Sequence, residues 1–383
     1  MNRRILFVTT SLNTGGAEKM LCSILSSINP HYWEASVVCL SGQGSVGRQI
    51  VSDGYPVQCL GMRQPSLRSL FSLKQLKQIV EAVCPVVIQG WMYHGNIAAT
   101  TVAAMTQWEV PVLWGIRHCV HSLSYERFFT RWLIRMGALA SHSPKFIVYN
   151  AQRSLDQHQA LGYSKTNAVL IPNGFDTEQY RVDDKARITL RAELGLSQEV
   201  VLIGLMGRWH PMKDHRNFIQ AARNLCASRQ DTYFVMAGTG VDSTNQTLVN
   251  EIKECGLRKR FYLLGEREDM PQIQASLDIA TSASYSEAFP NVIGEAMACG
   301  VPCVVTDVGD SARLVGDTGC IVPPRNPSLL AAGWEQLLSL PFMQRRAMGL
   351  RARNRIKQRY SLLVVAKQYE NLYLRCLEPC PIV

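Results

Sequence analysis

The sequence lacks several patterns that define other classes of protein. It has no Cys-x-x-Cys pair, and its 12 cysteines are scattered from Cys22 to Cys380, which favours a reducing, cytosolic compartment over a disulfide framework. The apolar run at residues 5–8 is too short for a signal peptide, and no run approaches the roughly 18 apolar residues of a transmembrane helix. No Asp-x-Asp motif occurs, so the sequence gives no signature of a metal that bridges a diphosphate.

The composition predicts a packed protein with an uneven charge. The 383 residues suggest two domains, and 47% hydrophobic against 18% charged residues excludes a disordered chain. Of the net charge of +10, most falls in residues 1–175, which hold 15 basic and 7 acidic side chains. This excess suggests an anionic partner of the first half, either a phospholipid surface, a phosphorylated substrate or nucleic acid, with solvated charge as the alternative. No nucleic-acid-binding module accompanies the charge, so that partner ranks last.

Apolar segments of strand length alternate with segments of helix length along almost the whole chain. Strands that are apolar on both faces and separated by helices are typical of a parallel sheet with helices on both sides. The alternation restarts near residue 200, so the sequence predicts an α/β fold with two doubly wound, Rossmann-like domains. The predicted strands are 5–10, 35–40, 57–60, 86–89, 112–116, 146–148, 168–171, 200–206, 233–237, 261–264, 279–282, 303–306 and 320–322, and the predicted helices of the first half are 17–28, 72–82, 95–106, 124–140 and 151–160.

The domain boundary is predicted where turn-forming residues interrupt this pattern, at 172–176. We therefore assign residues 1–172 to the first domain and residues 173–360 to the second. The segment 361–383 places apolar side chains at helical spacing, so we expect a helix that docks back on the first domain.

A Gly-x-G-x-x-G pattern at residues 42–47 is typical of dinucleotide-binding loops. Such a site requires an acidic residue about twenty positions further on, and the sequence there, at 60–63, has no carboxylate. The motif also follows the second predicted strand rather than the first. We therefore interpret it as a glycine-rich turn rather than a nicotinamide or flavin site.

Three loops at the carboxyl ends of predicted strands carry residue types suited to a phosphorylated ligand. After the first strand, Gly15 and Gly16 allow close approach of the backbone, and the following helix offers amide groups to an anion. In the second half, Arg208 and Lys213 share one strand-to-helix loop, and two cations beside a helix N-terminus suit a diphosphate. An ordinary turn and a solvent-facing basic loop are the structural alternatives.

The third loop opens the segment 284–302, which contains two glutamates eight residues apart. Glu287 ends the loop, a helix begins near 290–291, and Glu295 falls about one turn inside it. A carboxylate at that place suits bidentate hydrogen bonds from ribose hydroxyls, and the amide groups of 289–292 suit a phosphate. A capping acid and an exposed helix residue are the structural alternatives.

Together these motifs resemble those of the retaining glycosyltransferases of family 4, which have the GT-B architecture of two Rossmann-like domains facing each other across a cleft. The similarity runs through residues 15–18, 171–176, 207–213 and 287–295, so it covers nearly the whole chain. The sequence departs from the family at Ala288, where glycine is common. Alanine fits there if its φ is negative, and the sugar contact is the feature that this departure puts in doubt.

The resemblance implies roles for individual residues. Arg208 and Lys213 would bind the diphosphate, Glu287 would contact the transferred sugar and Glu295 would bind the ribose. The donor-binding set is Gly15, Gly16, Arg208, Lys213, Glu287, Phe289, Asn291, Val292 and Glu295. The family also has a histidine in its first domain that faces the sugar, and His118, just after a strand, is preferred, with the register against Arg117 open by one residue. His94, in the preceding strand-to-helix loop, and Arg117 are candidates for the acceptor side.

A basic segment with interleaved aromatic residues lies in the first half. Arg127, Arg131 and Arg135 recur every four residues and would form one face of a helix, and a second basic cluster comprises Arg63, Arg68, Lys74 and Lys77. A basic amphipathic helix is typical of a protein that lies on an anionic membrane. The alternative is a helix that packs Trp132 and Leu133 into the core, with its arginines in water.

The resemblance therefore predicts a cytoplasmic, metal-independent, retaining glycosyltransferase that needs no cofactor and is peripheral to the inner face of the membrane. Its donor would be a nucleoside-diphosphate sugar, UDP-linked, and its acceptor a glycan or lipid-linked glycan of bacterial polysaccharide or lipopolysaccharide synthesis. A nucleotide-sugar epimerase of the same fold and a non-catalytic nucleotide-sugar-binding protein are the two alternatives.

Overall fold

A computed structural model of the chain describes residues 3–62, 68–120 and 122–378, leaving aside the side chains of 68–70 and 125. Of the second basic cluster, Arg63 and the side chain of Arg68 therefore lie outside the described residues. The chain divides into two compact units, Met1–Gly174 with Leu362–Val383, and Phe175–Ser361. These divisions lie one or two residues after the boundaries that we assigned from the sequence.

Seven parallel strands form one sheet within the described residues of the first unit. They are β1 (Arg3–Thr9), β2 (Trp33–Cys39), β3 (Val57–Cys59), β4 (Val87–Trp91), β5 (Val112–Ile116), β6 (Phe146–Tyr149) and β7 (Ala168–Leu170). In β1, residues 5–8 are all buried, as expected for a strand covered on both faces. The spatial order β3-β2-β1-β4-β5-β6-β7 reverses between β1 and β4, and ligands of such sheets bind beyond the carboxyl ends of the strands at that point.

Helices connect these strands and cover the sheet. They are α1 (Gly16–Leu25), α2 (Gly44–Ser52), α3 (Arg68–Val83), α4 (Met92–Ala103), α5 (Phe128–Ala140) and α6 (Gln152–Ala160). The glycine-rich motif at 42–47 runs into α2. A Cβ on Gly44 would lie 2.3 Å from the carbonyl oxygen of Leu12, so close packing of the chain explains this glycine.

Helix α4 begins three residues earlier than the sequence pattern predicts. Met92 takes a left-handed φ of 64°, which turns the chain from β4 straight into the helix without a glycine or proline to mark it. The prediction that His94 lies in a loop is therefore wrong, because His94 is in the first turn of α4. Gly95 lets this helix approach β1, since a Cβ there would lie 2.2 Å from the carbonyl oxygen of Val8.

The second unit repeats the architecture with six parallel strands among its described residues. They are β8 (Val201–Met206), β9 (Thr232–Ala237), β10 (Phe261–Leu263), β11 (Ile279–Ser282), β12 (Cys303–Thr306) and β13 (Gly319–Val322). The helices of this unit are α7 (Asp184–Glu193), α8 (His215–Cys226), α9 (Gln246–Glu254), α10 (Met270–Ala275), α11 (Asn291–Ala298), α12 (Ser311–Val315), α13 (Pro327–Leu338) and α14 (Phe342–Arg359). The order β10-β9-β8-β11-β12-β13 reverses between β8 and β11. The carboxyl ends of β8 and β11 are therefore the expected place for a ligand.

The last helix, α15 (Leu362–Leu377), belongs to the first unit. Val365, Tyr369 and Tyr373 are buried in the same apolar cluster as β1 and β2, and Tyr373 packs edge-on against Trp33 with ring centroids 5.6 Å apart. None of the helices in the described ranges combines the length and apolar character that crossing a bilayer requires.

Candidate active site

The carboxyl ends of β8 and β9 form a floor built from backbone. Gly238 follows β9 with a φ of 146°, and a Cβ on it would lie 2.3 Å from the carbonyl oxygen of Gly207, which follows β8. The amide of Gly238 donates to the carbonyl oxygen of Gly265 at 2.7 Å, which joins the end of β10 to the same floor. Gly207, Gly238 and Gly265 carry no side chains of their own, so a ligand can approach their backbone closely, and the aliphatic part of Lys213 lies against Gly207.

Lys213 is held in place at the end of β8 by a tight turn. It is the last residue of the 3₁₀ turn Pro211–Lys213, and Asp214 then takes a left-handed φ of 51°. The Asp214 Oδ1 accepts a hydrogen bond from the amide of Asn217 at 3.2 Å, which starts α8. A non-glycine residue in this conformation costs on the order of 1–3 kcal/mol, and such strain clusters at functional sites.

Glu287 is fixed by contacts within its own loop and with the loops that follow β8 and β12. Its Oε1 pairs with the Nζ of Lys213 and accepts a hydrogen bond from the Ser284 hydroxyl at 2.9 Å. The Thr306 hydroxyl donates to the carbonyl oxygen of Ser284 at 2.5 Å, which ties this loop to β12. Gly309 has a φ of 56° and lies so close that a Cβ would be 2.4 Å from the carbonyl oxygen of Glu287. A carboxylate and an ammonium therefore meet at the switch point of the sheet.

Helix α11 starts directly after this loop, with Pro290 as its N-cap. Asn291 and Val292 are its first residues, so their amides belong to the helix end that suits an anion. The side chain of Phe289 is buried and stacked against Phe175, with ring centroids 6.1 Å apart, so only its backbone is left for a ligand. Ala288 is not among the residues with positive φ, which accounts for alanine at this position.

Glu295 lies one turn further along α11 and is half-buried. It accepts a hydrogen bond from the hydroxyl of Tyr180, whose pKa is raised by burial first and then by the charge of Glu295. The backbone carbonyl of Tyr180 accepts from the Arg353 guanidinium at 2.9 Å. The contact with Arg353 therefore holds Tyr180 in place beside the Glu295 carboxylate.

In the first unit, Gly15 and Gly16 mark the start of α1. Gly15 is the N-cap, and the carboxylate of Glu18 folds over it, because a Cβ on Gly15 would lie 2.2 Å from the Glu18 Oε2. The Ser11 hydroxyl donates to the other carboxylate oxygen of Glu18 at 3.2 Å. Gly15 therefore has a close neighbour in this structure, which is the chain's own carboxylate, and the donor-binding role of Gly15 and Gly16 stays a prediction.

His118 follows β5 by two residues, as the sequence predicts, and its side chain is 36% exposed. Its Nε2 lies 2.6 Å from the Oε1 of Glu126, and its ring meets Tyr93 edge-on at 6.3 Å. The hydrogen bond with His118 lowers the pKa of Glu126, against the effect of burial. The imidazole is thus oriented and partly open to solvent.

Arg117 points away from solvent. Its guanidinium donates to the Asn173 Oδ1 and, at 2.5 Å, to the Tyr369 hydroxyl, and it lies 4.1 Å from the centroid of the Trp91 ring. Burial lowers the pKa of Arg117, and Tyr369 opposes that effect. All of these contacts of Arg117 are with residues of the first unit. Its role on the acceptor side stays a prediction.

His94 and α5 lie side by side. The His94 ring stacks on Phe129 at 6.1 Å, and burial lowers the pKa of His94. On α5, Leu133 is buried but Trp132 is 50% exposed, so of the two residues expected in the core only Leu133 is there. The exposed apolar residues of α5 are Phe128, Phe129, Trp132, Met136 and Leu139.

The predicted site residues thus fall into two groups. Arg208, Lys213, Glu287 and Glu295 lie in the second unit, and Gly15, Gly16, His94, Arg117 and His118 lie in the first. The Arg208 side chain is exposed and has no hydrogen bond or ion pair with any residue that the structure describes. Across the same described residues, no group of three or more His, Cys, Asp and Glu side chains is arranged to hold a metal ion.

Sequence reasoning missed three residues that support predicted ones: Ser284 beside Glu287, Glu126 beside His118, and Tyr180 beside Glu295. The Ser-x-x-Glu spacing of Ser284 and Glu287 is that of a capping box and would have suggested a contact. The other two pairs carry no local signal, because their partners come from separate segments.

Comparison with known proteins gives the same assignment for both halves. The family model "Glycosyltransferase Family 4" matches residues 14–179, and "Glycosyl transferases group 1" matches residues 200–340. A D-inositol 3-phosphate glycosyltransferase of Corynebacterium aurimucosum is 28% identical over 285 residues, which are 70% of this chain and 66% of that protein. An Escherichia coli UDP-Gal:alpha-D-GlcNAc-diphosphoundecaprenol alpha-1,3-galactosyltransferase is 32% identical over 153 residues, 38% of either chain. The chain thus spans less than two thirds of the length of these relatives.

Among solved structures, Anabaena Alr3699/HepE in complex with UDP matches with a TM-score of 0.85 at 23% identity, over 97% of this chain and 100% of that one. Two doubly wound α/β units of this kind define a protein of the GT-B fold, which confirms the predicted fold class. With both family models matched in order along the sequence, the chain belongs to the family 4, group 1 glycosyltransferases.

Proposed function

We propose that the protein transfers a sugar, with retention of configuration, from a UDP-sugar to a glycan or lipid-linked acceptor. The observation that carries the proposal is the meeting of Lys213 and Glu287 at the carboxyl ends of β8 and β11. Two of the compared proteins add support. The structural neighbour HepE was crystallised in complex with UDP, and the Escherichia coli relative is named for a sugar linked to diphosphoundecaprenol.

In this proposal, each charged group of the second unit has a separate task. Arg208 and Lys213 balance the charge that develops on the departing diphosphate, in the place of a divalent metal, because pre-organised charges at a developing anion act most strongly in the transition state. Glu287 holds the transferred sugar, and Glu295 accepts hydrogen bonds from the ribose. The resemblance assigns a sugar contact to His118, whose ring is oriented by Glu126, and it assigns acceptor binding to the first unit.

Purified protein mixed with a panel of UDP-sugars and a bacterial membrane extract tests the proposal. Release of UDP that depends on the extract, with a labelled sugar appearing in the lipid or glycan fraction, is the expected result. Isomerisation of the donor without extract would identify an epimerase instead. Saturable binding without turnover would identify a non-catalytic nucleotide-sugar-binding protein.

Replacing Glu295 with alanine is expected to weaken UDP binding by about 1–3 kcal/mol, the range for the loss of a hydrogen-bonded charged partner. Isothermal titration calorimetry measures the effect. The matched control is Tyr180→Phe, which removes the hydroxyl that donates to Glu295 but leaves the carboxylate. Equal losses in both variants would mean that Glu295 acts only by holding Tyr180.

We also propose that α5 binds the anionic inner face of the membrane. The exposed residues Phe128, Trp132, Met136 and Leu139 follow one side of the helix, and the basic residues Arg127, Arg131 and Arg135 form the adjacent stripe. The helix itself contains no acidic residue. An apolar stripe beside a basic one suits the boundary between acyl chains and anionic headgroups.

The triple variant Arg127/Arg131/Arg135→Gln is expected to lower binding to phosphatidylglycerol vesicles about 100-fold, at about 1 kcal/mol for each basic residue near the surface. Co-sedimentation measures the binding. The control variant Arg351/Lys357/Arg359→Gln removes the same charge from α14. Unaltered sedimentation of the first variant would show that α5 is not the membrane anchor.

A further inference from the structure

His210 lies between Arg208 and Lys213 in the loop that follows β8, and it is half-buried. It is the N-cap of the turn Pro211–Lys213, and its Nδ1 accepts a hydrogen bond from the amide of Met212 at 3.3 Å. A ring nitrogen that accepts from an amide carries no proton. The proton of the neutral ring is therefore on Nε2, which the cap leaves as a donor.

The surroundings of His210 favour its neutral form. Partial burial lowers its pKa, Arg208 and Lys213 lower it further, and Glu287 opposes them. His210 shares one loop with both cations of the candidate site, two residues after Arg208 and three before Lys213. A protonated ring would also lose its hydrogen bond with Met212, because both of its nitrogens would then be donors.

We propose that His210 binds the phosphate that carries the transferred sugar, by donating its Nε2–H to an oxygen of that phosphate. The inference rests on the proposed function and concerns a residue to which the family resemblance gave no role. The two cations on either side of His210 are suited to one diphosphate, and a neutral donor between them adds a directed hydrogen bond. Lys213, at the end of this loop, pairs with Glu287, the residue that we propose holds the transferred sugar. The sugar is attached to the terminal phosphate of UDP, so we expect that phosphate to be the partner of His210.

Two variants separate this role from that of a cap. In His210→Asn, the side-chain oxygen takes the place of Nδ1 and keeps the cap, while the donor at Nε2 is lost. In His210→Gln, the amide nitrogen takes the place of Nε2, while the cap is lost. Affinities for UDP and UMP are measured by calorimetry on the full chain, and thermal unfolding verifies that each variant is folded.

The His210→Asn variant is expected to bind UDP roughly 10-fold more weakly than the wild type and UMP equally well, because UMP lacks the terminal phosphate. The His210→Gln variant is expected to bind UDP more tightly than His210→Asn. Wild-type UDP affinity in His210→Asn, or equal losses for UDP and UMP, would limit His210 to capping and overturn the inference. A wild-type protein that binds neither nucleotide would overturn the proposed function itself, which distinguishes the two failures.

Discussion

Replacing Lys213 with alanine is expected to lower the turnover of sugar transfer about 10²- to 10³-fold, the loss seen when one pre-organised stabiliser of a developing anion is removed. The ammonium group lies beside Glu287 at the end of β8, where we propose that the diphosphate departs. Glu287 keeps its hydrogen bond from Ser284 in this variant, so the carboxylate retains a partner. Release of UDP at saturating donor concentration measures the effect.

The control for this variant is Lys253→Ala, which removes an exposed lysine from α9 in the same unit. A Lys213→Ala enzyme with wild-type kcat and a raised KM for the donor would assign the lysine to uniform binding of substrate and transition state. Wild-type values of both constants would remove Lys213 from the mechanism.

The strands could be predicted from the sequence because the physical requirement on them is local and strong. Every residue of β8 is buried, so the segment has to be apolar throughout, and such a segment stands out between polar loops. The start of α4 could not be predicted in the same way. Met92 takes a left-handed φ with no glycine or proline to mark the turn, and α4 packs at Gly95 against β1, a strand that is distant in the sequence.

For the candidate site, the loops could be predicted from the sequence, but the contacts between their side chains could not. Lys213 and Glu287 each stand in a recognisable loop, but their pairing depends on the order of the strands, which brings β8 and β11 together. Phe289 stands in the same motif as Glu287, yet its side chain packs on Phe175 in the core. Spacing along a loop indicates where the backbone runs, whereas the direction of each side chain depends on residues from distant segments.

The largest effect on stability is expected at Asp278, which sequence motifs did not indicate. The side chain of Arg191 is fully buried, and its guanidinium pairs with the Asp278 Oδ2 at 2.6 Å. Asp278 also accepts from Arg187 at 2.6 Å and from the amide of Leu202 at 2.8 Å, so it joins α7 to β8. Burial lowers the pKa of Arg191, and the charge of Asp278 opposes that effect.

Replacing Asp278 with alanine leaves the buried guanidinium of Arg191 without its counter-charge, which is expected to cost about 3–5 kcal/mol of unfolding free energy. For a unit of this size, that loss lowers the unfolding midpoint by roughly 6–20 °C, measured by calorimetry on the full chain. The double variant Asp278→Ala/Arg191→Met removes both charges, and it is expected to be more stable than Asp278→Ala alone because no buried charge is left unpaired. If the double variant is the less stable of the two, the hydrogen bonds of Arg191 to the carbonyl oxygens of Ser276 and Val200 outweigh the cost of its unpaired charge.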